Sequence, residues 1–159
     1  MSDDCRLKMQ LGAATTMNRI RMKVRFDYQG KTRQGKLFGR KSEEQVAEEL
    51  RQHKVSLIRN VPIQGIYIED IDMSQEVYTV FDEITGKMLA FAPVTITFSA
   101  DSLEDAVKFT MKEEFRTVEV LEPEELALSR LDIERLLLRI SDEMLDYRTY
   151  LQRKLDNWK

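Results

Sequence analysis

The run GKTRQGKL, residues 30–37, has the first seven positions of a phosphate-binding P-loop: a glycine, four residues, then glycine and lysine. In such a loop a Ser or Thr follows the lysine to bind magnesium, and a helix begins at once so that its N-terminus faces the phosphates. Here Leu37 replaces the hydroxyl residue, and the next helix is predicted only from Glu43. A hairpin turn that needs one glycine at positive φ explains the same letters. We therefore interpret residues 30–37 as a basic hairpin tip.

An acidic run at residues 70–81 resembles a calcium-binding loop only in its first half. Asp70, Asp72 and Ser74 occupy the first, third and fifth ligand positions. However, Gln75 stands where the sharp turn needs glycine, and Phe81 stands where the final glutamate should bind the ion. We interpret this run as an acidic turn.

The remaining reactive residue types lack partners for catalysis. The chain has one histidine and one cysteine, which excludes multi-histidine and cysteine-rich metal sites. His53 is predicted in the last turn of the first helix, where an imidazolium favours the carbonyl end of the dipole. Adjacent glutamates such as Glu43 and Glu44 point in different directions on a helix, whereas a carboxylate dyad must aim at one substrate. We expect no catalytic, metal-binding or cofactor-binding residue, and thus no enzyme.

The overall composition is that of one soluble globular domain. The 159 residues are 42% hydrophobic and 33% charged, with three prolines and six glycines. No apolar run approaches the roughly 20 residues of a membrane span, and the N-terminus carries Asp where a signal peptide needs basic residues. We expect a cytoplasmic protein without a membrane partner.

Charge is distributed unevenly along the chain. Residues 1–61 contain 14 Lys and Arg and 7 acidic residues, a net charge of +7. Residues 62–159 contain 11 Lys and Arg and 21 acidic residues, a net charge of −10, so the whole chain has a net charge of −3. The basic half has two interpretations: it binds an anionic partner, or the two halves attract each other.

Hydrophobic periodicity then predicts an α+β body over residues 19–128, after a disordered extension at residues 1–18. From Arg19 to Tyr28 apolar and charged residues alternate, as in a half-buried strand. Extended segments are also predicted at residues 36–39, 54–61, 63–73, 77–82, 88–98 and 115–121. The segment 88–98 is interrupted at Pro93, which fits a bulge or an edge because proline donates no ladder hydrogen bond. Helices are predicted at about residues 43–53 and 102–111, each beginning at a serine cap, Ser42 or Ser102.

The two serine caps suggest an internal repeat. A shift of 60 residues places Ser42 on Ser102, and the preceding run FDYQGKTRQGKL, residues 26–37, corresponds to FDEITGKML, residues 81–89. The hypothesis is two divergent strand-strand-helix-strand units, residues 19–61 and 77–121, forming a mainly antiparallel sheet.

A long amphipathic helix is predicted for residues 129–159, with the acidic residues after Pro123 suited to a first turn. Apolar residues recur in heptad steps from Ile133 to Leu151. We expect the first half to cover the chain's own sheet, and the part beyond Asp146 to extend past the domain and need a partner. The predicted interaction residues are Met144, Tyr147, Tyr150, Leu151, Leu155 and Trp158.

A local resemblance involves FDYQGKTRQGKLFGRKSEEQVAEELRQHKVSLIRNV, residues 26–61 and about a quarter of the chain. It is similar to the short strand-turn-strand-helix-strand element at the start of inner-membrane platform proteins of secretion and pilus systems. The hydrophobic membrane helices of those proteins have no counterpart in this sequence, so no function follows from the resemblance.

Two functions remain open. The first is a non-enzymatic interaction or assembly protein that binds a second copy, or another protein, through its C-terminal helix. The second is a nucleic-acid-binding protein, because Lys and Arg neutralise phosphates without sequence preference. Its contact residues would be Arg19, Arg21, Lys23, Arg25, Lys31, Arg33, Lys36, Arg40 and Lys41.

Overall fold

The structure is a computed structural model that describes residues 19–31 and 41–157. Its elements in chain order are strand β1 (Ile20–Gly30), helix α1 (Glu43–Asn60), strands β2 (Ile66–Asp72), β3 (Tyr78–Asp82) and β4 (Lys87–Ala100), helix α2 (Leu103–Thr110), strand β5 (Phe115–Glu122) and helix α3 (Arg130–Asp156). The predicted α+β class, antiparallel sheet and long C-terminal helix are confirmed. The predicted extension at residues 1–18 and strand at residues 36–39 lie outside the described residues.

The five strands form one antiparallel sheet in the order β2-β4-β1-β5, and β3 pairs with the first part of β4. Without β3, the elements follow the β-α-β-β-α-β order of the split β-α-β motif. The motif contains β1-α1-β2 and β4-α2-β5, so the strand that follows α1 lies beyond residue 61. The proposed repeat of residues 19–61 therefore gains no support from the topology.

One face of the sheet carries the hydrophobic core. The apolar side chains of β1 are buried on this face, as the alternation predicts, and the even-numbered residues of β4 from Ala90 to Ala100 join them. Helices α1 and α2 cover the same face with Val55 and Phe109, and the Phe109 ring packs edge-on against Phe98 at 4.8 Å. The opposite face of β1 presents the charged side chains Arg21, Lys23 and Arg25.

Helix α1 continues to Asn60, so the predicted strand at residues 54–61 is wrong, and so is the placement of His53 in a last turn. The buried residues Ala47, Arg51 and Val55 recur every four residues and face the sheet. Burial of this stripe outweighs the β propensity of the local sequence, because most helical stability in proteins comes from tertiary packing. His53 is exposed in the middle of the helix.

Strand β4 is continuous through Pro93, so the predicted break in the strand is wrong, but its pairing on one edge is interrupted there, as an edge position for the proline requires. Strand β3 pairs with residues 87–91 of β4 and strand β2 with residues 95–100 on the same edge, which leaves a gap at Pro93. A proline is tolerated there because no ladder hydrogen bond is required of its nitrogen. The buried Arg51 spans the gap and donates to the carbonyl oxygens of Pro93 at 2.9 Å and Gln75 at 2.7 Å.

The glycine that opens the P-loop-like run has a packing role. A Cβ on Gly30 would come within 2.1 Å of the Glu43 carbonyl oxygen and 2.7 Å of the Ala47 nitrogen. Only glycine therefore allows the end of β1 to approach the first turn of α1 this closely. Gly86, in the β3–β4 hairpin, has a φ of 66°, which confirms the predicted turn.

The predicted starts of α1 and α2 are confirmed, and the predicted start of α3 is corrected. Ser42 and Ser102 cap α1 and α2 as predicted. Helix α3 begins at Arg130, later than the predicted acidic first turn after Pro123, because Ser129 and Asp132 form a reciprocal capping box. Among the described residues, no helix combines the length and apolarity needed to cross a bilayer.

Candidate interaction surface

Helix α3 has 27 residues, and none of them is buried. It packs on α2 and is about 40 Å long at 1.5 Å per residue. The prediction that its first half covers the sheet is wrong, since Ile133, Leu137 and Ile140 remain 46%, 61% and 39% exposed. The physical reason is that α1 and α2 already fill the apolar face of the sheet.

One side of α3, the inner face, is directed toward the domain. It consists of Leu136, Ile140, Glu143, Tyr147, Tyr150 and Lys154. Ile140 and Tyr147 border a cleft with Val107 of α2 and Met111, the residue that follows α2. Tyr147 and Tyr150 stack with ring centroids 6.3 Å apart. These contacts fix which stripe of the helix is turned away from the domain.

Glu113 anchors the distal part of the inner face. The Tyr150 hydroxyl donates to Glu113 Oε2 at 2.7 Å, and Lys154 Nζ and Lys31 Nζ lie 3.5 Å and 3.3 Å from Glu113 Oε1. The prediction that α3 extends past the domain beyond Asp146 is therefore wrong for this side of the helix. The hydrogen bond from Tyr150 lowers the pKa of Glu113, and both ammonium groups add to that effect.

We expect the docking of distal α3 to weaken in acid. Since the folded-state pKa of Glu113 is lowered, its contribution is present above the ordinary glutamate pKa of about 4.3 and is lost as pH falls through the lowered value. Hydrogen-exchange protection of residues 147–156, corrected for intrinsic rates, should fall between pH 7 and about pH 3.5. Glu113→Gln should remove most of this pH dependence, whereas Glu124→Gln should retain it. An unchanged pH profile in Glu113→Gln would contradict the assignment.

The opposite side of α3, the outer face, is apolar and exposed. It consists of Leu131, Leu137, Leu138, Met144, Leu145, Leu151 and Leu155, each at least 42% exposed. Residues three, four and seven apart lie on one side of a helix, so these side chains form a continuous stripe. A stripe of this kind, on a helix without buried residues, is a candidate protein-binding surface.

The structure divides the predicted interaction residues between the two sides of α3. Leu151 and Leu155 lie on the outer face, and Met144 lies at its border, because it is 67% exposed and also lines the cleft that Ile140 and Tyr147 line. Tyr147 and Tyr150 lie on the inner face, in contact with the chain's own domain. Trp158 lies outside the described residues. The heptad steps from Ile133 to Leu151 include Leu137, whereas Leu131, Leu138 and Leu145 lie outside those steps.

Most of the predicted anion-binding residues pair with carboxylates of the same chain. Arg33, Lys36 and Arg40 lie outside the described residues. The described pairs are Arg19–Asp101 at 3.2 Å, Arg21–Glu69 at 2.7 Å, Arg25–Asp27 at 2.8 Å, Lys31–Glu113 at 3.3 Å and Lys41–Glu49 at 2.6 Å. Lys23 is exposed, and its cross-strand neighbours are Thr97 and Glu119. Three of these pairs join the basic half of the chain to its acidic half, as expected if the halves attract each other.

A buried carboxylate that sequence reasoning missed lies on the charged face of the sheet. Asp27 is 2% exposed and accepts hydrogen bonds from Arg25 and from the Tyr78 hydroxyl, with Arg116 Nε 3.6 Å away. Burial raises the pKa of Tyr78, and its hydrogen bond to Asp27 adds to the shift. The cluster joins β1, β3 and β5, and its charges are satisfied internally, which indicates a structural role.

No group of three or more His, Cys, Asp or Glu side chains that could hold a metal ion occurs within residues 19–31 and 41–157. No protein-family model, curated protein or solved structure matches the chain. The outer face of α3 is the largest apolar surface that α3 leaves exposed, and it is therefore the candidate functional site of the domain.

Proposed function

We propose that the protein is a non-enzymatic assembly protein whose α+β domain self-associates through helix α3. The observation that carries this proposal is the outer face, a stripe of leucines and a methionine on a helix without buried residues. Contiguous apolar patches of this kind mark interaction sites in soluble proteins. The inner face is already engaged with α2 and Glu113, so the outer face is the side available to a partner.

The energetics require the outer face to act as a whole. Burying one Leu or Met side chain gains about 1.5–3 kcal/mol, whereas association costs roughly 4–15 kcal/mol of lost rigid-body freedom. One or two buried leucines would therefore be too few. A stripe of seven side chains on each copy supplies enough apolar surface for a stable pair.

Nucleic-acid binding is less well supported. The described arginines and lysines of the basic set, apart from Lys23, have carboxylate partners. The aromatic residues Phe26 and Tyr28 are buried on the core side of β1, so they offer no stacking platform for bases. DNA binding at low salt that Arg21→Glu with Lys23→Glu abolishes would favour this alternative instead.

Removal of residues 129–159 tests the proposal. The shortened chain should remain folded, because α3 contributes no buried residue, and should be monomeric where the full chain associates. Circular dichroism with a cooperative thermal transition reports folding, and size-exclusion chromatography with light scattering reports mass. Equal, monomeric masses for both chains would overturn the proposal. Loss of the cooperative transition would show that α3 belongs to the domain's core.

A further inference from the structure

Three polar residues divide the outer face at equal intervals. Glu134 and Arg148 lie seven residues on either side of Ser141, which places each about 10 Å from it along the helix. All three are exposed. Among the residues that the structure describes, neither Glu134 nor Arg148 takes part in an ion pair. Within residues 19–31 and 41–157, two opposite charges on an apolar stripe therefore have no ion-pair partner.

The spacing of these charges is self-complementary. Suppose that two α3 helices pack antiparallel around a two-fold axis at Ser141. A residue a given number of positions before Ser141 in one copy then faces the residue the same number of positions after Ser141 in the other copy. Glu134 of each copy then faces Arg148 of the other, which forms two ion pairs. The same rule opposes Leu137 to Leu145, Leu138 to Met144 and Leu131 to Leu151, so that apolar side chains meet apolar side chains.

The parallel arrangement fits less well. In a parallel, in-register pair each residue meets its own equivalent, so Glu134 would face Glu134 and Arg148 would face Arg148. Like charges opposed across an interface disfavour that arrangement. The small Ser141 at the crossing point also allows close approach, because the distance between packed helices depends on the side chains at their contact.

We propose that a second copy of this chain occupies the outer face, with the two α3 helices antiparallel around a two-fold axis at Ser141. This inference rests on the proposed self-association and specifies its geometry. The interface is isologous, as in most homodimers, since the same stripe serves both copies. It also closes after two chains, because pairing uses the outer face of each copy.

Charge reversal with rescue tests the two ion pairs. Glu134→Arg or Arg148→Glu alone places like charges opposite each other twice per dimer, so the dissociation constant should rise about tenfold or more. The double variant restores two opposed pairs with exchanged signs and should regain most of the affinity. Arg139→Glu and Asp146→Arg, also seven residues apart but with no outer-face residue three, four or seven positions away, form the matched control and should leave dimerisation unchanged. Sedimentation velocity measures all five chains.

Cysteine cross-linking tests the direction of the helices. In a Cys5→Ser background, Ser141→Cys should form an intermolecular disulfide in the dimer, because that position lies on the axis. Leu137→Cys alone should not form this disulfide, because position 137 of one copy faces Leu145 of the other. Leu137→Cys combined with Leu145→Cys should cross-link the two copies. A disulfide formed efficiently by Leu137→Cys alone would indicate parallel helices.

The outcomes separate the two proposals. A wild-type chain that stays monomeric defeats the proposed function and this inference together. A wild-type dimer that neither charge reversal weakens, or that the double variant fails to restore, defeats only the antiparallel geometry. Rescue by the double variant, together with the expected cross-linking pattern, supports both.

Discussion

A chain that carries Leu138→Asp and Leu145→Asp is expected to be monomeric at concentrations where the wild type is dimeric. Both residues lie on the outer face and are 66% and 55% exposed. Burial of unpaired carboxylates in an apolar interface costs several kcal/mol each, and a dimer would contain four of them. The monomer should tolerate both changes, because exposed substitutions usually alter stability by about 0.5 kcal/mol or less. Sedimentation velocity and thermal unfolding measure the two effects.

Leu57→Asp is the matched control for this experiment. Leu57 lies on α1 with 44% exposure, so it receives the same substitution outside the outer face. It should leave dimerisation unchanged. If the Leu57 variant dissociates while the Leu138 and Leu145 variant remains dimeric, α1 and not α3 forms the interface.

Replacement of the buried Arg51 is expected to have the largest effect on stability. Arg51→Ala leaves the carbonyl oxygens of Pro93 and Gln75 without their donor, and Glu48 without its ion-pair partner. A buried carbonyl oxygen left without its donor costs about 1–3 kcal/mol of unfolding free energy, and the lost packing of the buried Arg51 side chain adds to that cost. Urea unfolding followed by circular dichroism measures this loss.

Arg59→Ala provides the comparison for Arg51. Arg59 lies on the same helix and is exposed in its last turn, so its loss should change the unfolding free energy by only about 0.5 kcal/mol. Similar urea midpoints for the two variants would show that the hydrogen bonds of Arg51 across the gap between β2 and β3 do not stabilise the domain. A large loss confined to Arg51→Ala would support its role as the bridge across that gap.

Local sequence signals predicted much of the fold. The alternation in β1, the serine caps of α1 and α2, and the glycine turn at Gly86 each depend on residues close together in the chain. The end of α1 could not be predicted in this way. Residues 54–60 at this end include the β-favouring Val55 and Ile58, and the helix forms there because Val55 is buried against a sheet that is distant in the sequence. The presence of Pro93 inside a continuous strand likewise could not be predicted, because it depends on where β2 and β3 end beside β4.

The candidate surface was predicted in part. Heptad spacing identified α3 and its apolar side chains, because that signal lies within the helix. The division into inner and outer faces depends on Glu113, which is 37 residues from its partner Tyr150, and no local pattern reports that contact. Asp27 posed the same difficulty, since alternation assigned it to a charged strand face without revealing Tyr78 as its neighbour.

Sedimentation equilibrium of the full chain is the most direct test of self-association through α3. One chain has a mass of 18.7 kDa. We expect a mass that rises with concentration toward twice this value and stops there, because each copy has one outer face. At about 100 µM, a dissociation constant in the micromolar range would leave most chains paired. A mass of one chain throughout that range, or a mass that continues to grow past two chains, would contradict the account.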